Sequence, residues 1–92
     1  MHAVVVRVSI GDRERAEQGL REQVIPMVRQ APGFVAGYWT RSESGNDGLS
    51  MILLESEDAA RQAAERLQSG GGVVPETVTL ESVEVREVVE HA

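Results

Sequence analysis

The first ten residues alternate in a way that is typical of a β-strand. Even-numbered positions are apolar from Val4 to Ile10, and the odd-numbered positions from Ala3 onward are apolar except for Arg7 and Ser9. Successive side chains of a strand point to opposite faces of the sheet. We therefore predict a strand over residues 2–10 that is largely buried on both faces.

The next segment repeats apolar residues at helical spacing. Asp12 follows the break at Gly11 and is a suitable N-cap, and the apolar positions after it are Ala16, Leu20, Val24, Met27 and Ala31. This spacing predicts a helix that runs to about residue 30. Because Pro26 lacks the N–H that would bond back to Glu22, a kink or a tightened turn is expected there.

Two further strands are predicted to form a hairpin. Residues 34–41 carry all three aromatic side chains of the chain, and residues 49–55 are again mostly apolar. Between them, residues 42–48 read SESGNDG and are dense in turn-forming residues.

A second helix and a last strand complete the chain. Ser56 is a suitable N-cap, and an apolar stripe continues the helix to about residue 69. A connection rich in glycine, at 70–75, leads to a strand over 78–89. The apolar residues of this strand change from even to odd positions, which predicts a β-bulge near Ser82.

The order of these elements is βαββαβ, the ferredoxin-like arrangement of the α+β class. Right-handed crossovers place both helices on one face of an antiparallel sheet. The opposite face is left uncovered although its strands are apolar on both sides. A second copy of the chain is the expected cover, so we predict a homodimer through apposed sheets.

Composition narrows the range of partners and compartments. The 92 residues include nine basic and fifteen acidic side chains, a formal charge of −6, and no cysteine. Nucleic acids and anionic membranes require a dense basic surface, so neither partner is expected. With no recognisable signal peptide or linker, we expect a cytoplasmic protein with a single domain over residues 1–92. No metal site is expected, because no His, Asp and Glu cluster has ligand spacing.

Two passages resemble a known family. The helix-to-strand passage VRQAPGF at 28–34 and the strand-to-helix passage LESEDA at 54–59 are similar to dimeric α/β barrel proteins of the antibiotic biosynthesis monooxygenase type. The resemblance covers nearly the whole chain. It implies dimerisation through the sheets, and a cavity between sheet and helices that holds a small aromatic or polyketide-like molecule.

Haem-degrading members of this type carry residues that are different here. They have an Asn near the end of the first strand, an aromatic residue where the third strand meets the second helix, and a His on or near that helix. This chain has Arg7 and Ser9 on the first strand, Ser56 at the junction, and no histidine between His2 and His91. Haem degradation is therefore disfavoured, and we expect no metal, haem or flavin cofactor.

Arg7 is the candidate catalytic residue. Its guanidinium can orient an anionic or enolate oxygen by charge-assisted hydrogen bonds, and Ser9 on the same face is a candidate for substrate binding. The alternative for Arg7 is an ion pair across the sheet with Glu55, Glu81 or Glu84, since a partly buried arginine usually has a carboxylate partner.

Tyr38 and Trp39 are the aromatic candidates for substrate binding. Neighbours in a strand point to opposite faces, so only one of them can line a given cavity. Trp39 either stacks on a substrate or anchors the core or the dimer interface. Tyr38 either donates its hydroxyl to a quinone-like oxygen or is a half-exposed strand residue.

Two functions remain open at this point. The first is a cofactor-independent monooxygenase-like or cyclase-like enzyme acting on a small aromatic or polyketide-type substrate. The alternative is a non-catalytic homodimeric module that binds a ligand or another protein. Polar groups that converge on an enclosed cavity favour the enzyme, whereas a cavity filled by side chains favours the module.

Overall fold

Four strands form one antiparallel sheet in this computed structural model, which describes residues 1–69 and 78–92. They are β1 (His2–Ile10), β2 (Phe34–Arg41), β3 (Asp47–Leu54) and β4 (Val78–Glu87). The order across the sheet is β2-β3-β1-β4, so β1 and β3 lie in the centre. This is the ferredoxin-like order, and the predicted fold class is confirmed. The predicted connection at 70–75 lies outside the described residues.

The helix that follows β1 has three segments: α1 (Arg13–Gly19), a π-helical turn (Leu20–Val24) and α2 (Ile25–Arg29). Asp12 caps its start, since its carboxylate accepts a hydrogen bond from the Arg15 N–H at 3.1 Å.

Of the two alternatives expected at Pro26, the tightened turn is wrong, and the kink stays a prediction. The helix widens just before the proline instead, where the Ile25 N–H bonds to the Leu20 carbonyl. A proline ring clashes with the carbonyl four residues earlier, here that of Glu22, and a π-turn moves this carbonyl away.

The second helix is α3 (Glu57–Gln68). Ser56 caps it as predicted, with its hydroxyl accepting a hydrogen bond from the Ala59 N–H at 3.1 Å. Ala60 and Ala64 of α3 are buried against the sheet, because a small side chain at each position allows the helix to approach closely. With them the core consists of four strand residues: Val4, Val6, Ile52 and Leu54.

The predicted β-bulge is confirmed. Arg7 pairs with Ser82 but Val8 pairs with Leu80, so Glu81 is the extra residue in β4. A second irregularity, which the sequence did not predict, occurs between Phe34 and Ala36 at the start of β2. No helix in the described part of the chain is long and apolar enough to cross a membrane.

Candidate functional site

A cavity of about 420 Å³ lies between the sheet and the helices. This volume is in the range of small-molecule sites. Helical residues form its roof: Ala16, Leu20, Val24, Val28 and Leu67. Apolar residues of the strands form most of its floor: Val6, Val8, Ile10, Ile52, Val78 and Leu80.

The cavity is not filled by side chains because the residues of β3 beneath it are small. Gly48 and Ser50 lie on the inner face of β3 and line the cavity floor, in register with Val8 and Val6 of β1. A larger residue at position 48 would contact the cavity floor directly, since a Cβ there would lie 3.0 Å from Val8 Cγ2. The neighbouring inner-face positions Ile52 and Leu54 are large and buried, so the space is confined to one end of the sheet.

Trp39 and Ser50 bring polar groups into the cavity, whereas the hydroxyl of the lining residue Thr40 already donates to the Leu49 carbonyl at 2.6 Å. Trp39 and Ser50 are direct partners in the β2–β3 ladder, so their side chains project side by side into the cavity. Ser50 is only 9% exposed. Within residues 1–69 and 78–92, neither the indole N–H nor the Ser50 hydroxyl has a hydrogen-bond partner. The described part of the chain therefore leaves both donors uncommitted, and both can serve a ligand oxygen.

Three charged residues mark the opening of the cavity, and we call them the mouth: Arg13, Glu17 and Arg41. Glu17 Oε1 accepts a short 2.6 Å bond from Arg21, whereas Glu17 Oε2 lies 3.7 Å from Arg41 Nη1. The guanidinium of Arg41 is therefore only weakly engaged.

The Arg13 side chain lies against Gly45 in the loop between β2 and β3. A Cβ at Gly45 would lie 2.7 Å from Arg13 Nε, and the φ of Gly45 is +79°. Only glycine combines this backbone conformation with so close an approach. Arg13 has no ion pair with any other described residue. Its charge is therefore exposed at the mouth.

Arg7 projects from the opposite face of the sheet. It alternates with the cavity-lining residues Val6 and Val8 and is exposed. It lines a smaller depression of about 230 Å³ on this outer face, together with Glu81. The ion pair expected from the sequence is not formed among the described residues, and Glu84 instead binds Arg86 at 3.0 Å.

Ser9 and Tyr38 share the outer face with Arg7. The Ser9 hydroxyl donates to Glu81 Oε1 at 2.5 Å, which the bulge makes possible by releasing Glu81 from the ladder. Tyr38 is 60% exposed. The predicted separation of Tyr38 from Trp39 is confirmed, and Trp39 alone of the four predicted site residues lines the cavity. The functional roles predicted for all four stay predictions.

Sequence reasoning missed Ser50 and the mouth. A signal for Ser50 was available, because it is a polar residue in the alternating series that ends with the buried Ile52 and Leu54. No local sequence pattern indicates the mouth, because its residues come from the start of a helix and the end of a strand that are distant in the sequence. No group of three His, Asp or Glu side chains that could hold a metal ion exists in the described ranges.

The outer face is apolar on the β3 side of Arg7, whereas its β4 side carries Ser82, Glu84 and Arg86. Leu49 is 38% exposed and Met51 is 41% exposed, and both lie beside β1 on the same side of the sheet as Tyr38. Exposed apolar side chains that are contiguous on one sheet face are typical of a protein–protein contact surface.

Comparisons with known proteins give matches at the level of structure. No family model and no curated protein matches the chain. Among solved structures, a cofactor-independent oxygenase from Streptomyces nogalater, SnoaB, has a TM-score of 0.75 at 18% identity, over 98% of this chain and 94% of that chain. A monooxygenase of Streptomyces coelicolor in complex with nanaomycin D has a TM-score of 0.56 at 16% identity, over 99% and 92%.

A third similar structure is a dimeric ferredoxin-like protein from an uncultured marine organism. Its TM-score is 0.62 at 10% identity, over 100% of this chain and 98% of that chain. At these identities the likeness concerns the fold. The resemblance read from the sequence is confirmed at that level: the chain has the ferredoxin-like fold of these oxygenase, monooxygenase and dimeric structures.

Proposed function

We propose that this protein is a cofactor-independent oxygenase that oxidises a small fused-ring aromatic substrate in the cavity. The observation that carries the proposal is the pair of hydrogen-bond donors, Trp39 and Ser50, among the apolar walls of a cavity of about 420 Å³ whose charged residues lie at the mouth. The fold shared with SnoaB, a cofactor-independent oxygenase, supports it.

The proposed oxidation requires no electrons from the protein, only groups that stabilise the reactive form of the substrate. In an anthrone-like substrate, one molecule of O₂ converts a CH₂ group to a carbonyl and leaves one molecule of water, so the substrate supplies the electrons. The reactive form is the enolate, which the substrate forms by losing a CH₂ proton to water and whose oxygen carries negative charge. The Trp39 N–H and the Ser50 hydroxyl would stabilise this oxygen, and donors that are already in place at a developing charge are an effective source of catalysis.

The apolar walls serve the same reaction. The roof and floor would orient a flat ring system between helix and sheet and exclude water from the reacting carbon. Trp39 would contact the ring with its indole face and the substrate oxygen with its N–H, a combination that an amphipathic aromatic side chain permits.

The working form proposed here is a homodimer through apposed sheets. Its contact surface would be the outer face around Leu49 and Met51, which stays exposed in the single chain. The dimeric ferredoxin-like protein of similar structure supports this assembly. Ser9 and Tyr38 would then lie at or beside the subunit contact.

Oxygen uptake with anthrone tests the proposal. We expect Trp39→Phe and Ser50→Ala each to lower kcat by about tenfold to a hundredfold, because each removes one donor to the enolate oxygen. Ser9→Ala and Tyr38→Phe are matched controls on the outer face and are expected to retain the rate. Equal rates for Ser50→Ala and Ser9→Ala would contradict a reaction centred on the cavity wall.

A non-catalytic ligand-binding module is the second candidate. The observation in its favour is that the ionisable residues of the cavity lining are confined to the mouth in the described residues, so no base lies deep inside. Ligand binding without any oxygen uptake by the parent protein would favour this function.

A further inference from the structure

The proposed reaction gives no role to the charged residues of the mouth. The mouth carries two guanidinium groups and one carboxylate, in a chain whose formal charge is −6. A local excess of positive charge in an acidic protein attracts anions to that point. The mouth lies at the open end of the cavity and consists of different residues from the donor pair on the wall.

The two arginines of the mouth keep most of their hydrogen-bonding capacity. Arg13 has no ion pair among residues 1–69 and 78–92, and the separation of 3.7 Å between Arg41 and Glu17 is long for a charged hydrogen bond. The short bond of Glu17 is the one to Arg21, outside the cavity. Because each guanidinium offers five donors, both arginines can bind an incoming carboxylate.

Both groups lie where a ligand would meet them. The Arg13 side chain lies against Gly45, and Arg41 ends β2 on the inner face, two residues after Trp39. A ligand whose rings lie beside Trp39 would therefore extend toward Arg41.

We propose that Arg13 and Arg41 bind a carboxylate on the substrate, so that the cavity selects fused-ring aromatic acids over neutral aromatic compounds. This inference rests on the proposed use of the cavity as a substrate site. The apolar body of the ligand would lie between helix and sheet, and its carboxylate would remain at the mouth. Glu17 competes for Arg41 and limits the affinity.

Two probes of nearly equal shape test the charge preference. Anthracene-2-carboxylate and 2-(hydroxymethyl)anthracene have the same three fused rings but differ in charge. Binding is measured by the fluorescence of Trp39, which is the single tryptophan of the chain. We expect the carboxylate to bind at least about tenfold more tightly, and this preference to shrink in about 0.5 M salt because ions screen a half-exposed charge pair.

Variants assign the preference to the mouth. Arg13→Gln and Arg41→Gln are each expected to weaken the carboxylate probe by about fivefold to tenfold while leaving the neutral probe unchanged. Glu17→Gln should strengthen carboxylate binding, because it removes the competing carboxylate. Arg61→Gln is the matched control: Arg61 makes an ion pair with Glu57 on α3 and does not line the cavity.

The outcomes separate this inference from the proposed reaction. Equal affinity of the two probes, or an equal loss in Arg61→Gln and Arg41→Gln, would overturn the role of the mouth even if anthrone is oxidised. A carboxylate preference that is lost in both mouth variants would support it even if no oxygen uptake is seen. Binding of neither probe would overturn the role of the mouth, and oxygen uptake with anthrone would then decide the proposed reaction by itself.

Discussion

The indole ring of Trp39 lies directly over Gly37, two residues earlier on the same strand. A Cβ at Gly37 would be only 2.6 Å from Trp39 Cη2 and 2.8 Å from Cζ3. No real Cβ contact is that short, so the orientation of the ring in the cavity wall depends on the absence of a side chain at residue 37. The glycine therefore contributes to the shape of the site without lining it.

Gly37→Ala is expected to move the indole ring and to reduce the affinity for an anthracene probe by about tenfold, with a loss of about 1–3 kcal/mol in the free energy of unfolding from overpacking. The tryptophan emission spectrum reports the movement. Gly19→Ala is the control, since Gly19 has helical dihedral angles that alanine adopts without strain. An unchanged spectrum and affinity in Gly37→Ala would show that the ring is not held in this way.

Met51→Glu is expected to dissociate the proposed dimer. A carboxylate there would be buried in the assembly, and its desolvation costs more than an ion pair with the neighbouring Arg7 returns. Sedimentation at micromolar concentration should show a monomer, whereas Met27→Glu should remain dimeric. The two methionines are a close match, because Met51 is 41% exposed on the sheet and Met27 is 38% exposed on the helix. A parent protein that is monomeric at this concentration would contradict the dimer itself.

Arg7→Gln tests the catalytic role predicted for that residue against a contact in the proposed dimer. Because Arg7 projects from the face opposite the cavity, we expect the variant to retain oxygen uptake within about twofold and to alter the dissociation of the dimer. Sedimentation and kcat are measured on the same preparation. A loss of about a hundredfold in kcat, with an unchanged dimer and melting temperature, would instead establish the catalytic role predicted from the sequence.

Ser56→Ala is expected to lower the free energy of unfolding by about 1 kcal/mol, because the Ala59 N–H at the start of α3 loses its acceptor. For a domain of this size the melting temperature should fall by about 4–8 °C. Ser69→Ala, at the other end of α3, is the control. Its hydroxyl donates to the Arg66 carbonyl on the exposed surface, where water can replace it, so a smaller effect is expected.

The elements of this fold could be predicted from local physical chemistry. Asp12 and Ser56 start the two helical regions because their side chains accept hydrogen bonds from the free N–H groups of the first turn. The bulge beside Ser82 followed from the change of phase in the last strand, because a regular pleat cannot place Leu80 and Val83 on one face. The π-turn before Pro26 could not be read in this way, since several helical adjustments accommodate a proline equally well.

The functional faces depend on contacts between distant parts of the chain. Alternation along β1 showed that Arg7 and Val6 point in opposite directions, but both faces of the strand are apolar, so the pattern could not tell which one the helices cover. The crossover connections decide it, and they place Val6 in the cavity. The mouth has the same origin: Arg13 begins a helix and Arg41 ends a strand, and only the packing of that helix on the sheet brings both guanidinium groups to one opening.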